Sequence, residues 1–223
     1  MVHVLINGKK LLFMKSLAFS ISLILLFSCK QTEEAPSIVF EKPLPENGKN
    51  INFPKSLLGD FQNDEAMTLS IQQNQIIRKT VMMDTIGESL KLKAHSDDSL
   101  KTFFQDLSFT KLTDTIYMIK YARIDTIFNL KKGDVLRKLK GHYILNYQYG
   151  QNYYIKKLTY KNGLINIQRV DSVEILNQLK IVTEAENDTL FMPTKAFPTK
   201  KQFKKLIQSK GFNVGETYLR VRK

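Results

Sequence analysis

The sequence predicts a mainly β protein, a β-rich α+β fold of antiparallel strands with a few short helices. From Leu57 onward, apolar and polar residues alternate over short runs that end at Asn, Gly or Asp, which is typical of antiparallel strands. Asn162-Gly163 lies between two such runs, and this dipeptide favours the type I′ turn of a tight hairpin. Two parts of the chain also contain similar pieces in the same order.

These similar pieces predict two diverged internal repeats, at 57–130 and 131–223. Each repeat has a Gly-x-aromatic opening, a hairpin, a helical segment that begins with an Asp-Ser cap, and an Asp-Thr before an apolar strand. The paired pieces are LLGDF (57–61) with LKGHY (139–143), LSIQQNQII (69–77) with LTYKNGLI (158–165), the helical segments 98–109 and 171–181, and the strands 114–118 and 188–192.

The first element of the chain is a leader. Residues 17–27 form an uncharged apolar run that follows Met14-Lys15, as in the core of a secretory signal. The run is shorter than the roughly 20 apolar residues of a transmembrane helix. We therefore predict a signal peptide at 1–28, with Met14 as an alternative start.

The only cysteine of the chain directly follows this run. Leu26-Phe27-Ser28-Cys29 has a branched aliphatic residue at −3, a small residue at −1 and cysteine at +1. This pattern resembles the lipobox of bacterial lipoproteins. The resemblance implies diacylglycerol on the Cys29 thiol, cleavage of the leader before Cys29, and acylation of the new amine, for example with palmitate. It also implies a lipid-anchored protein of the cell envelope, most simply on the periplasmic or the surface-exposed face of the outer membrane.

Residues 29–56 are predicted to be the lipidated N-terminus and a linker. Four of the six prolines lie within 30–56, and the segment has little periodicity.

The chain is basic before and after removal of the leader. Removal of 1–28 takes away Lys9, Lys10 and Lys15 but no acidic residue, so the formal net charge falls from +13 to +10. Such a charge favours anionic neighbours. Besides the membrane, the expected partners are another envelope protein or an anionic glycan or lipid; we expect no nucleic acid.

The two Gly-x-aromatic openings end at Phe61 and Tyr143. They resemble the Gly-x-Trp motif at the start of lipocalin-like barrels, although both tryptophan positions are replaced here and the motif occurs twice. The resemblance implies an alternative fold, a lipocalin-like barrel.

The residue inventory argues against most enzyme classes. With Cys29 carrying lipid, the mature chain has no thiol for catalysis or metal binding. His95 and His142 lie in unlike contexts without metal-ligand spacing, and the chain has no nucleophile elbow and no phosphate-binding glycine loop. We expect no catalysis, no metal and no cofactor. A carboxylate-based hydrolase stays open, because acid pairs cannot be recognised in a sequence.

Two groups of residues are candidates for contact with a partner. Tyrosine offers contact area and a hydroxyl group, and four tyrosines cluster around Gly150, although cross-strand aromatic pairing explains them equally well. A basic helix predicted at 199–210 could rest on anionic lipid, or its apolar residues could dock on the β core while its lysines face water. The candidates are Tyr147, Tyr149, Tyr153 and Tyr154 for a ligand or partner, and Lys200, Lys201, Lys204 and Lys205 for a membrane surface.

These observations favour a membrane-anchored, non-catalytic binding or scaffolding module. The alternative is a carrier, in which the two β halves enclose a pocket for a small apolar ligand or a lipid.

Overall fold

The computed structural model describes residues 36–65, 67–89, 91, 105–170, 193–208 and 211–221. Beyond Pro36, these residues belong to one compact unit, Ser37–Lys223.

The described residues include twelve strands, two short 3-10 helices and the α-helix near the end of the chain. The strands are β1 (Ile38–Phe40), β2 (Gly59–Gln62), β3 (Thr68–Ile71), β4 (Gln75–Gly87), β5 (Gln105–Lys111), β6 (Ile116–Asn129), β7 (Val135–Leu139), β8 (His142–Tyr149), β9 (Asn152–Lys161), β10 (Leu164–Arg169), β11 (Thr194–Ala196) and β12 (Val214–Arg220). The helices are the 3-10 turns Lys55–Leu57 and Leu130–Lys132 and the helix α1 (Lys200–Gln208).

All twelve strands belong to one sheet, so the predicted mainly β fold is confirmed. The strand order is β7-β8-β9-β10-β12-β2-β3-β4-β6-β5, and every neighbouring pair is antiparallel. β1 pairs with β9 through Phe40 and Tyr153, and it pairs in parallel with β11. The sheet is not closed into a barrel, since β7 and β5 end the strand order and no described ladder joins them. The alternative of a lipocalin-like barrel is therefore wrong.

The sheet has an inner face that forms the larger hydrophobic core. Strands from both ends of the order contribute to this core, so the sheet curves around it. Phe128 of β6 packs edge-on against Tyr147 of β8 at a ring-centroid distance of 5.1 Å, and against Phe53 at 5.8 Å. The most fully buried side chains of the inner core include Phe61, Leu69, Ile76, Phe128, Leu136, Leu145, Leu158, Ile165 and Tyr218.

A second core lies between the outer face of the sheet and α1. Successive side chains of a strand point to opposite faces, so Ile144 and Ile155 face α1 while their neighbours face the inner core. Phe203, Leu206 and Ile207 of α1 are buried against them. The sequence interpretation in which the apolar residues of this helix dock on the β core matches this packing.

The predicted turn forms at Asn162-Gly163, and α1 begins with a side-chain cap. Asn162 and Gly163 have φ angles of 52° and 81°, the two positive values that a type I′ hairpin requires. Thr199 and Gln202 form a capping box at the start of α1, in which the Thr199 amide donates to Gln202 Oε1 (2.8 Å) and the Gln202 amide donates to Thr199 Oγ1 (3.3 Å).

The helix predicted at 98–109 is wrong where it can be compared. Gln105–Lys111 form β5, which pairs with β6. Pairing with a distant strand overrides a modest local helix preference. Residues 98–104 and the helix predicted at 171–181 lie outside the described residues.

The predicted linker, 29–56, belongs in part to the folded unit. Ile38–Phe40 are a strand, and Leu44 and Phe53 are buried. The Arg137 guanidinium donates through one nitrogen to the carbonyl oxygens of Pro43 (2.5 Å), Pro45 (2.6 Å) and Glu46 (3.0 Å). The proline content predicted a tether. The carbonyl oxygens of this segment instead accept hydrogen bonds from Arg137 of β7.

The internal duplication stays a prediction. The hairpins β3-β4 and β9-β10 occur where the similar segments place them. The glycines of the two openings differ in setting, because Gly59 begins β2 whereas Gly141 lies in the turn between β7 and β8.

Candidate binding site

The four tyrosines of the predicted cluster do not form one exposed platform. Tyr147 and Tyr154 are direct cross-strand partners whose rings stack at 4.6 Å, and Tyr147 is only 3% exposed. Tyr153 points to the opposite face from Tyr154, because it is the adjacent residue of β9. Tyr149 is 41% exposed at the hairpin end. The cross-strand aromatic pairing that the sequence offered as a structural explanation is thus present for Tyr147 and Tyr154.

The four lysines of the predicted membrane-facing group lie on α1, away from its buried residues. Lys200, Lys201 and Lys205 are exposed and Lys204 is partly buried. They give the solvent side of the helix a positive charge beside the sheet. This arrangement is compatible with contact to an anionic surface, and it equally suits a solvated helix face.

A row of polar side chains crosses four strands on the outer face of the sheet, and we call it the polar row: His142 of β8, Thr159 of β9, Asn166 of β10 and Thr217 of β12. Thr159 is the register partner of Asn166, and Asn166 is the partner of Thr217. His142 Nδ1 lies 2.9 Å from Thr159 Oγ1, and Asn166 Nδ2 donates to Thr217 Oγ1 at 3.0 Å. These side chains are partly or fully exposed. The polar row therefore presents hydrogen-bonding groups at the surface.

Lys157 lies beside the polar row, two residues before Thr159 on the same face of β9. The residue is only 8% exposed. Its ammonium lies 5.2 Å from the centroid of the Phe212 ring. Within the described parts of the chain it has no ion pair with a carboxylate and no hydrogen bond. A lysine side chain that is covered to this extent is uncommon, because lysines are mostly exposed.

Burial and charge lower the pKa values of the two basic groups of this region. The pKa of Lys157 is lowered from its usual value because burial disfavours the charged ammonium. The pKa of His142 is also lowered, first by burial and then by the positive charge of Lys157. Only the His142 shift has an electrostatic part, which shows that the two basic groups lie close enough to interact.

Two surface cavities lie next to α1, on the side of residues 40–48. Their volumes are about 270 and 190 Å³. Each is smaller than the roughly 300–1,000 Å³ of typical small-molecule pockets. Both cavities are lined in part by Leu44, Glu46 and Pro198. They suit a short group better than a whole lipid.

The structure carries no sign of a metal centre in the residues it describes, where no group of three or more His, Cys, Asp or Glu side chains is placed to hold an ion. None of the described helices has the length and apolarity needed to cross a bilayer. Cys29 and His95 lie outside the described residues.

Sequence reasoning did not select Lys157 or the polar row. Lys157 and Thr159 are part of an ordinary alternating strand, and His142 was considered only as a possible metal ligand. Alternation predicts that Lys157 and Thr159 share a face, but only the register of four strands aligns them with His142, Asn166 and Thr217.

Comparison of the chain with protein-family models, with curated proteins and with solved structures finds no match.

Proposed function

We propose that this protein is a lipid-anchored component of the bacterial envelope whose β-rich body is a non-catalytic binding or scaffolding module. The supporting observation is the packing of the inner core. Tyr218, Phe61 and Phe128 are each at most 1% exposed and fill the space that the curved sheet surrounds. A body with a filled interior binds its partners on its surface.

The same observation weighs against the carrier. A carrier of a lipid or another apolar ligand needs an apolar cavity of several hundred Å³. The inner face of the described sheet is instead occupied by aromatic and aliphatic side chains.

Native mass spectrometry of residues 30–223, prepared without lipid or detergent, separates the two functions. The binding module is expected to give the mass of the bare chain. An excess mass of small-molecule size that leaves on denaturation would contradict the proposal and favour the carrier. With the bare mass found, cross-linking in intact cells is expected to capture an envelope component.

The anchor is tested by substitution at the lipobox. Cys29→Ala removes the thiol that carries the lipid and is expected to leave the leader uncleaved and the chain without acyl groups, as intact mass would show. Ser28→Ala is the matched control, since it keeps a small residue at −1 and should be processed normally. Wild-type protein that is cut elsewhere, with Cys29 unmodified, would exclude the lipoprotein proposal.

A further inference from the structure

The Lys157 side chain, which is mostly covered along its length, is the starting point. Its stem is covered by the sheet and by Phe212, and it has no anionic partner in the described residues. The covered stem holds the ammonium in place, and a bound anion would supply it with an opposite charge and hydrogen-bond acceptors. An acidic group is therefore the chemistry that this position recognises.

The polar row adds a second kind of contact. Thr159 Oγ1, the Asn166 amide, Thr217 Oγ1 and the His142 ring together supply both donors and acceptors. Asn166 Oδ1 is covered and accepts no hydrogen bond from any described residue. Because this atom is covered, the contacts of the row with a ligand come from its hydroxyl groups and from the Asn166 Nδ2 group.

The dimensions of the row fit an extended ligand. Three interstrand spacings of about 4.8 Å give a row of roughly 14 Å across β8, β9, β10 and β12. Lys157 lies about 6.6 Å from Thr159 along β9, as two residues of a strand do. A ligand that contacts both Lys157 and Thr159 must carry its charge and its hydroxyl groups close together, as an acidic sugar does.

We propose that Lys157 and the polar row form a binding site for an acidic saccharide, a sugar unit that carries a carboxylate or a phosphate group. The acidic group pairs with the Lys157 ammonium, and the hydroxyls of the same sugar exchange hydrogen bonds with Thr159. A second sugar unit would reach Asn166 and Thr217 on the next two strands. The proposal rests on the binding function proposed above and names its ligand class.

The test is a titration followed by NMR on isotope-labelled residues 30–223. The probes are glucuronic acid, glucose 6-phosphate, unmodified glucose and inorganic phosphate. We expect saturable shifts of the His142 ring, the Thr159 amide and the Asn166 side-chain amide with at least one acidic sugar, in the millimolar range. The acid that binds more tightly identifies a carboxylate or a phosphate as the preferred group. Glucose and phosphate alone are each expected to bind at least tenfold more weakly.

Substitutions connect the shifts to the site. Lys157→Met keeps the length of the stem but removes the charge, and it is expected to lower the affinity at least tenfold. Lys120→Met is the matched control, because it makes the same change at an exposed position of the distant strand β6, and it should bind as the wild type does. Thr159→Val tests the polar row without a change in charge and is expected to weaken binding several-fold.

Three results would overturn the proposal. One is the absence of saturable shifts with both acidic sugars; another is equal affinity for inorganic phosphate, which would indicate a simple anion site. The third is unchanged binding by Lys157→Met. None of these results bears on cross-linking to an envelope partner, so a failure of this site is distinguishable from a failure of the binding function.

Discussion

Asn146 of β8 shows how one polar residue organises an apolar region. It is fully buried, and its Oδ1 accepts a hydrogen bond from the Leu44 amide at 2.6 Å. Its Nδ2 donates to the carbonyl oxygens of Leu44 (3.0 Å), Val135 (3.0 Å) and Ile144 (3.2 Å). This one side chain therefore joins the segment before β2 to β7 and β8.

Asn146→Leu is expected to lower the free energy of unfolding by about 1–3 kcal/mol, because it leaves the buried Leu44 amide and its carbonyl neighbours unpaired. Urea unfolding followed by circular dichroism measures the change. Asn213→Ala, at an exposed position, is the control and should have little effect. An Asn146→Leu protein as stable as the wild type would contradict the proposed role.

The coupling of His142 to Lys157 predicts a change in pKa. Lys157→Met removes the positive charge that helps to lower the pKa of His142, so this pKa should rise toward its usual value. The ring signals of His142 in an NMR pH titration report it directly. An unchanged pKa would mean that burial alone sets the shift.

The same depressed pKa predicts how stability varies with pH. As the pH falls below the unfolded pKa of about 6.5, the unfolded chain takes up a proton at His142 that the folded chain does not. The contribution of His142 to stability is therefore lost as the pH falls through that value. His142→Gln should weaken this part of the dependence of the melting temperature on pH.

At the scale of elements, α1 is held by burial of its apolar side. Phe203 is 1% exposed in the second core, whereas Lys201 of the same helix is exposed. The short helix packs on the outer face of the sheet together with Leu44 and Phe212, so its docking depends on a few side chains.

Phe203→Ala is expected to cost about 3–5 kcal/mol, since it leaves a cavity between α1 and the sheet. Thermal unfolding and amide exchange of α1 would show the loss. Lys201→Ala, on the exposed side, should change stability by less than about 0.5 kcal/mol. Equal effects of the two substitutions would mean that the helix is not docked as described.

For the whole molecule, the position at which the folded unit begins can be tested by shortening the chain. A chain that begins at Ser37 retains β1, Leu44 and Phe53 and is expected to unfold at nearly the same temperature as residues 30–223. A chain that begins at Leu57 lacks them and leaves buried surface of both cores uncovered, so it should be much less stable. Similar stability of the two shortened chains would support the linker predicted from proline content.

The sequence alone determined the features that depend on neighbouring residues. Alternation predicted the β fold, Asn162-Gly163 predicted its hairpin, and the basic helix predicted at 199–210 corresponds to α1. The tertiary structure decided the features that depend on distant strands. Only strand register buries Tyr147, makes a strand of Gln105–Lys111, attaches the segment around Leu44 to the sheet, and aligns Lys157 with the polar row. A local pattern specifies which side chains of one strand lie on the same face, whereas long-range pairing determines which residues of other strands lie next to them.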